Sequence, residues 1–111
     1  MHNPIEDKLD RLWSKKIHLI WNEKCAMCGC AYNLSPHHGI VKRKYKSTRW
    51  DIRNGFLLCI NHHGLAEQNP DFFKAWVIKR IGEKLFDIIR LQGQVHFHGD
   101  YDFWLKHLGG E

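Results

Sequence analysis

Both ends of the chain place apolar side chains at the spacing of an α-helix. In residues 5–21, charged side chains separate Ile5, Leu9, Leu12, Trp13, Ile17 and Ile20. Residues three and four positions apart share one face of a helix. This segment is therefore predicted to be an amphipathic helix that packs on the rest of the protein.

The second helical region starts at Asn69-Pro70, where a capping residue precedes a proline at the first helical position. Apolar side chains at helical spacing then continue to Gly82, and further series follow up to residue 108. The pattern predicts a helix over 70–81 and one or two more helices within 70–108. Their aromatic side chains are expected in the core: Phe72, Phe73, Trp76, Phe103 and Trp104.

Short apolar runs between these helices indicate two strands and one further helix. His37-His38-Gly-Ile-Val is predicted to start one strand, and Phe56 to Leu58 to form the other. Adjacent strand residues point to opposite faces, so one of the two histidines can bind a metal ion while the other faces a substrate. Glu67 follows His63 by four residues, one turn along the same face of a helix.

Composition indicates a single globular domain with a basic surface. The 111 residues, 43% of them hydrophobic, fit one domain over residues 1–111 with one modest core. The net charge of +5 favours an anionic partner such as nucleic acid. The chain has no apolar run of about 20 residues, and its first segment is charged throughout, so neither a membrane span nor a signal peptide fits. We expect an intracellular, cytoplasmic protein.

In a reducing compartment, cysteines are more often metal ligands or buried thiols than disulfides. Cys25 and Cys28 are separated by two residues, and Cys59 and His62 repeat that spacing. Because structural zinc takes four ligands, the two pairs predict a zinc ion held by these four side chains. Burial of the thiols without a metal is the alternative, but it does not explain the repeated spacing. Cys30 is assigned to packing or to a free thiol.

Two adjacent histidines, an asparagine and a third histidine accompany these pairs in a fixed order: His37, His38, Asn54 and His63. This constellation, over residues 25–67, resembles the HNH endonucleases, and among them the zinc-stabilised phage-type members similar to the NinG recombination proteins. The resemblance implies an α+β fold with a small ββα-metal core, in which a β-hairpin and a helix surround one divalent ion. Zinc knuckles and flanking α-helices complete the implied architecture.

The resemblance also implies a role for each residue of the constellation. His37 and His63 would bind the catalytic ion, magnesium or manganese, and His38 would be the general base that activates water. Asn54 would stabilise the hairpin loop and orient the base. Many relatives have a further histidine where this chain has Glu67, and a carboxylate ligand in that position suits either ion.

A basic loop before Asn54 predicts contacts with nucleic acid. Six of the twelve residues from 42 to 53 are basic, and Tyr45 and Trp50 lie among them. The side chains expected to bind DNA phosphates are Lys42, Arg43, Lys44, Lys46, Arg49 and Arg53. Two alternatives are a solvated basic face and an ion pair between Arg49 and Asp51 that holds the turn.

The predicted function is that of a metal-dependent HNH endonuclease that hydrolyses phosphodiester bonds in DNA. One site of this kind cuts one strand, so a monomer is expected to nick DNA. The alternative is a zinc-knuckle module that binds nucleic acid without cleaving it. His96 and His98 alternate as on a strand face, which suits metal binding, but a surface turn is the preferred interpretation.

Overall fold

The computed structural model describes residues 3–110, and over that range it contains six α-helices and one two-stranded antiparallel sheet. The elements in chain order are α1 (Pro4–Ile20), β1 (Leu34–His38), α2 (Lys46–Arg49), β2 (Gly55–Cys59), α3 (Ile60–Gln68), α4 (Pro70–Ile81), α5 (Glu83–Gln92) and α6 (Tyr101–His107). A short 3₁₀ helix, Ile52–Asn54, leads into β2. The expected α+β class is confirmed. None of these helices has the length and apolar character needed to cross a membrane.

Helix α1 begins where Asn3 caps the free amides of the first turn. The Asn3 side-chain oxygen accepts hydrogen bonds from the backbone N–H groups of Ile5 and Glu6, at 3.0 and 3.2 Å. The buried face of the helix carries Leu9, Trp13 and Ile17, at the spacing that the sequence pattern predicted. Its two terminal isoleucines, by contrast, are about half exposed.

The hairpin differs from the prediction in the position of its first strand. Strand β1 ends at His38, which pairs with Gly55, whereas the sequence analysis expected a strand that begins at His37. After His38, the Gly39 N–H still bonds to the backbone carbonyl of Asn54, but the following N–H groups of Ile40 and Val41 bind the Asn54 side chain instead of a strand partner, so the chain leaves the sheet there. Pro36 is tolerated inside β1 because each strand of a two-stranded sheet has an open edge.

Strand β2 separates two clusters of buried side chains. Successive residues of the strand point to opposite sides, so Phe56 and Leu58 face one cluster and Leu57 faces the other. Helices α3, α4 and α5 complete the first cluster, while α1, α6 and Trp50 complete the second. The hairpin therefore lies between α1 and α6 on one side and α3, α4 and α5 on the other.

The aromatic side chains expected in the core divide between interior and surface. Phe73 and Trp104 are buried, and Trp76 packs against the first cluster. Phe72 and Phe103 are 44% and 59% exposed, so the expectation was wrong for these two. Each lies beside a buried aromatic residue in its helix, and adjacent positions on a helix do not share a face.

Candidate functional site

The predicted zinc ligands form a compact cluster. The ligand atoms of Cys25, Cys28, Cys59 and His62 all lie within 4.8 Å of one another. The Sγ atoms of Cys28 and Cys59 are 3.9 Å apart, and His62 Nδ1 lies 3.6 and 3.3 Å from the Sγ atoms of Cys25 and Cys59. A zinc tetrahedron with Zn–S of about 2.3 Å and Zn–N of about 2.0 Å has edges of roughly 3.5 to 3.8 Å. These residues could hold a metal ion, and their geometry is consistent with structural zinc.

The two ligand pairs come from a turn and from the junction of β2 with α3. Gly29, whose φ of +78° suits glycine, lets the first turn close with a 2.8 Å hydrogen bond to the Cys25 carbonyl. Burial raises the pKa of the Cys25 thiol, but backbone hydrogen bonds from Cys59, Cys28 and Met27 outweigh burial and lower this pKa to about 6. The turn therefore favours at Cys25 the thiolate form that a metal ion requires. At Cys28, a backbone hydrogen bond from Cys30 lowers the pKa of the thiol, but burial and the neighbouring thiols of Cys25 and Cys59 outweigh it and raise this pKa to about 11.

Cys30 lies outside this cluster, as the sequence analysis expected. Its thiol donates a 3.6 Å hydrogen bond to the carbonyl of Tyr32 and packs against the first core cluster. Its backbone carbonyl accepts a hydrogen bond from the Cys25 N–H at 2.8 Å. Cys30 thus closes the turn through its backbone, while its thiol belongs to no disulfide.

Three residues predicted to bind the catalytic ion lie close together where β1 meets α3. The ring centroids of His37 and His63 are 4.9 Å apart, and His63 Nε2 is 3.3 Å from Glu67 Oε1. The other nitrogen of His63, Nδ1, is 3.1 Å from the Ser35 hydroxyl. The strand and the helix therefore bring two imidazoles and one carboxylate to the same part of the surface.

These three side chains do not converge as closely as the zinc ligands do. Among residues 3–110, the Cys25, Cys28, Cys59 and His62 cluster is the one group of at least three Cys, His, Asp or Glu side chains whose ligand atoms all lie within 4.8 Å. Burial, together with smaller contributions from the nearby His63 and His38, lowers the pKa of His37 to about 4. The His37 imidazole is therefore neutral at pH 7, which is the form that binds metal ions.

His38 points to the opposite side of the strand from His37, as the alternation of a strand predicted. Its ring stacks on the indole of Trp13, with centroids 4.1 Å apart and an angle of 7° between the planes. Its Nε2 is 2.9 Å from the carbonyl oxygen of Arg49. A carbonyl only accepts, so Nε2 carries the hydrogen and Nδ1 is the basic nitrogen of the neutral ring. Burial is the main reason that the pKa of His38 is lowered.

Asn54 is fully buried and holds the loop that follows the histidines. Its side-chain oxygen accepts hydrogen bonds from the N–H groups of Ile40 and Val41, both at 2.9 Å. Its amide nitrogen donates to the carbonyls of Val41 and Thr48, at 2.8 and 3.3 Å. Thr48 precedes the residue whose carbonyl binds His38, so Asn54 is linked to His38 through the loop rather than by direct contact.

Both histidines of the pair line one open pocket of about 450 Å³. Glu67 from α3, Lys42 from the basic loop and Lys74 from α4 also line this pocket. Sequence reasoning missed Lys74 because it lies outside the motif region, and no local pattern distinguishes it from the other lysines of a solvated helix face. The pocket offers basic nitrogen, carboxylate and ammonium groups to one ligand.

Arg49 was expected on the phosphate-binding surface, but in the structure it lies in the interior. Its side chain is 9% exposed, and its Nη2 lies 2.7 Å from Asp10 Oδ2 on α1. A second contact, from Nη1 to Glu6 Oε1, measures 3.5 Å. The alternative pairing with Asp51 is also wrong, because the Asp51 carboxylate binds Arg53 at 2.7 Å. The side chain of Arg49 is therefore occupied by carboxylates of α1.

The remaining basic residues of the loop differ in whether a carboxylate of the protein already neutralises their charge. Arg43, Lys46 and Arg53 each pair with a carboxylate of the protein at 2.7 or 2.8 Å. Within the described part of the chain, Lys42 and Lys44 have no such partner. The charge available for an external phosphate is therefore concentrated in these two lysines.

Comparison of the chain with protein-family models, with curated proteins and with solved structures found no match. The resemblance to HNH endonucleases thus rests on the residues of the chain and their arrangement.

Proposed function

We propose that this protein is a metal-dependent HNH endonuclease that hydrolyses phosphodiester bonds in DNA and nicks one strand at each site. The observation that carries the proposal is the arrangement of the adjacent histidines. His37 contacts His63 on the helix after the second strand, while His38 stands on the other side of β1, and both line one pocket. A metal ligand and a general base that act on the same bound phosphate must both reach the pocket that holds it.

The order of the elements supports the ββα-metal core that we propose for residues 25–67. Strands β1 and β2 pair antiparallel, and α3 follows β2 directly. The hairpin supplies His37 and His38, and the helix supplies His63 and Glu67. We propose that zinc, held by the Cys/His cluster, fixes the start of α3 because His62 lies in its first turn.

In the proposed mechanism, His38 removes a proton from the attacking water through Nδ1. Its Nε2–H donates to the Arg49 carbonyl and fixes which nitrogen is basic. His37, His63 and Glu67 would hold a magnesium or manganese ion, and their two imidazoles and one carboxylate suit manganese well. A bound divalent ion would supply a Lewis acid that offsets the charge of the transition state and the leaving oxygen.

The chain's other residues would position the DNA. Lys42 and Lys74 both line the pocket of the histidines and carry no ion pair among the described residues, so either can bind a phosphate there. Arg43 is 61% exposed and can exchange its partner Asp10 for a phosphate at low cost. We propose DNA as the partner of a monomeric protein that acts inside the cell, where the free thiols stay reduced.

A second candidate is a zinc-stabilised nucleic-acid-binding module without cleavage. The observation that favours it is the contrast between the two groups of ligands. The Cys/His cluster is compact, whereas His37, His63 and Glu67 do not converge to the same degree. Such a module has no need of a base at His38.

Relaxation of supercoiled plasmid separates the two functions. The full-length, zinc-loaded protein is incubated with plasmid and manganese, with magnesium, or with neither ion. Appearance of open circles with a divalent ion, and their absence with His38→Ala, supports the endonuclease. Plasmid that stays supercoiled under every condition, although gel shift shows that it is bound, supports the binding module.

A further inference from the structure

The pocket of His37 and His38 is the first of four neighbouring pockets. A second pocket shares Ile40 and Lys42 with it, so the two adjoin at the start of the basic loop. The volumes of the four lie between about 330 and 460 Å³, each within the usual range of small-molecule sites.

The series continues along the loop to the segment after α5. The second and third pockets share Lys44 and Tyr45, and the third and fourth share Ser47, Val95 and His96. Because neighbouring pockets share lining residues, they form a connected series along the surface, which we call the loop groove. It runs from the candidate cleavage site across the basic loop to the surface near α6.

We propose that the loop groove binds a single strand of DNA that extends from the proposed cleavage site. The proposal deepens the proposed function, on which it rests for the site at the first end of the groove. Binding of the strand requires no cleavage, so the two can be tested separately.

Charge in the middle of the groove favours a polyanion. No carboxylate among the described residues lines the second or the third pocket, whereas Lys42, Lys44, Lys46, Arg90 and His96 do. Lys46 is neutralised by Glu6, and Arg90 contacts Asp87 at 3.5 Å. Lys42 and Lys44 therefore carry the unpaired charge, and each can neutralise one phosphate.

Exposed aromatic rings in the groove favour unpaired bases. Tyr45, on a wall shared by two pockets, is 46% exposed, and Lys44 Nζ lies 5.1 Å from its ring centroid. Phe103 is 59% exposed and lines the last pocket. Bases of a single strand can stack on such rings, whereas the bases of a duplex already stack on each other. The combination of free lysines and exposed rings thus fits one strand better than a duplex.

The far end of the groove is less basic than its middle. Asp51 and Asp100 line the fourth pocket, and Asp51 is already bound to Arg53. We therefore place the main contacts of the strand in the two middle pockets, at Lys44 and Tyr45.

Fluorescence anisotropy with a labelled oligothymidylate tests the groove. The zinc-loaded full chain is used without added magnesium or manganese, and gel analysis confirms that the oligonucleotide stays intact. Tyr45→Ala should weaken binding about tenfold through lost stacking. Lys44→Met should reduce the slope of log affinity against log salt by about 0.7, the value for one phosphate contact on a single strand.

Two variants provide matched controls away from the groove. Tyr32 is 79% exposed, and Lys79 lies on α4, and neither lines any of the four pockets. Tyr32→Ala and Lys79→Met should therefore bind the oligonucleotide as the parent protein does. Circular dichroism and melting temperature check that all four variants fold.

The outcomes separate this proposal from the nuclease activity. If the Tyr45 and Lys44 variants bind more weakly and the two control variants do not, the groove is supported, even if plasmid is never nicked. Equal binding by all four variants overturns the groove, even if plasmid is nicked. A duplex of the same sequence that binds more tightly than the single strand also overturns it.

Discussion

The indole of Trp13 lies flat against the imidazole of His38, with 4.1 Å between the ring centroids. Trp13 belongs to α1, and its Nε1–H donates a 2.9 Å hydrogen bond to the carbonyl of Asp51, within the basic loop. The Trp13 side chain thus fixes the plane of the His38 ring, the proposed base. It also binds the backbone of the loop whose Arg49 carbonyl accepts the hydrogen bond from His38. The N-terminal helix, which lies outside the HNH-like segment, is part of the support of the site.

Replacement of Trp13 tests this support. Trp13→Phe keeps a flat ring beside His38, whereas Trp13→Leu removes it, and both lose the hydrogen bond to Asp51. We expect the leucine variant to lose more nicking activity at saturating DNA than the phenylalanine variant does. Equal loss in both, after correction for folded fraction, would show that stacking on His38 contributes nothing.

His38→Ala tests the proposed base itself. We expect the nicking rate to fall by about 10² to 10⁴, the usual contribution of a general base, while DNA affinity stays unchanged. His18→Ala is the matched control, because His18 lies near the C-terminal end of α1 and pairs with Glu23. Plasmid nicking with magnesium or manganese measures the rate. Cleavage retained by the His38 variant would remove this residue from the mechanism.

Cys25→Ser tests whether zinc stabilises the fold. Because metal binding and folding are coupled at structural zinc sites, we expect a large fall in melting temperature and a loss of bound zinc. Cys30→Ser should keep both, since the Cys30 thiol lies outside the cluster and only its backbone closes the turn. Metal analysis and thermal unfolding give the two readouts. If the Cys25 variant melts like the parent protein, the cluster does not carry a structural metal.

Arg49 and Arg43 bind the same carboxylate but differ in burial. The Arg49 side chain is 9% exposed and that of Arg43 is 61% exposed, and both contact Asp10. We expect Arg49→Met to cost about 3 kcal/mol of unfolding free energy, because it removes the buried guanidinium that joins Asp10 to Glu6 and leaves these carboxylates only their more exposed cations, Arg43 and Lys46. Arg43→Met should cost less than about 1 kcal/mol. Urea unfolding followed by circular dichroism measures both, and similar values would contradict the interior role of Arg49.

The parts of the site that sequence predicted are those built from local spacing. The pairs Cys25/Cys28 and Cys59/His62 form the expected cluster, and His63 meets Glu67 one helical turn later. In each case, two side chains lie on one turn or one helix face, where geometry follows directly from separation along the chain.

The parts that sequence could not predict depend on contacts between distant segments. Arg49 reaches Asp10, 39 residues earlier, so a basic residue in a loop pattern became a buried one. The loop groove brings Tyr45 and Val95 to the same pocket, although they are far apart in the chain and hydrophobic spacing cannot relate them. Lys74 enters the pocket of the histidines only because α4 folds back on α3.

Acid should weaken the contacts between α1 and the basic loop. Burial raises the pKa of the Asp10 carboxyl, but hydrogen bonds from Arg49, Trp50 and Arg43 outweigh burial and hold this pKa below its usual value of 3.8. Burial also raises the pKa of Glu6, but a hydrogen bond from Lys46, together with other contacts, outweighs burial and holds this pKa below 4.5. The folded protein thus binds protons less readily at these carboxyls than the unfolded chain does.

The stability that these carboxylates contribute is complete above their unfolded pKa values, and it is lost as pH falls through the lower folded values. We expect the unfolding free energy of the parent protein at pH 7 to be about 2 kcal/mol higher than that of Asp10→Asn. This difference should shrink below about pH 4. Acid also releases zinc from thiolates and imidazole, but it does so in both proteins, so the difference between them isolates Asp10. Urea unfolding at a series of pH values measures this difference, and a constant difference down to pH 3 would contradict the lowered pKa of Asp10.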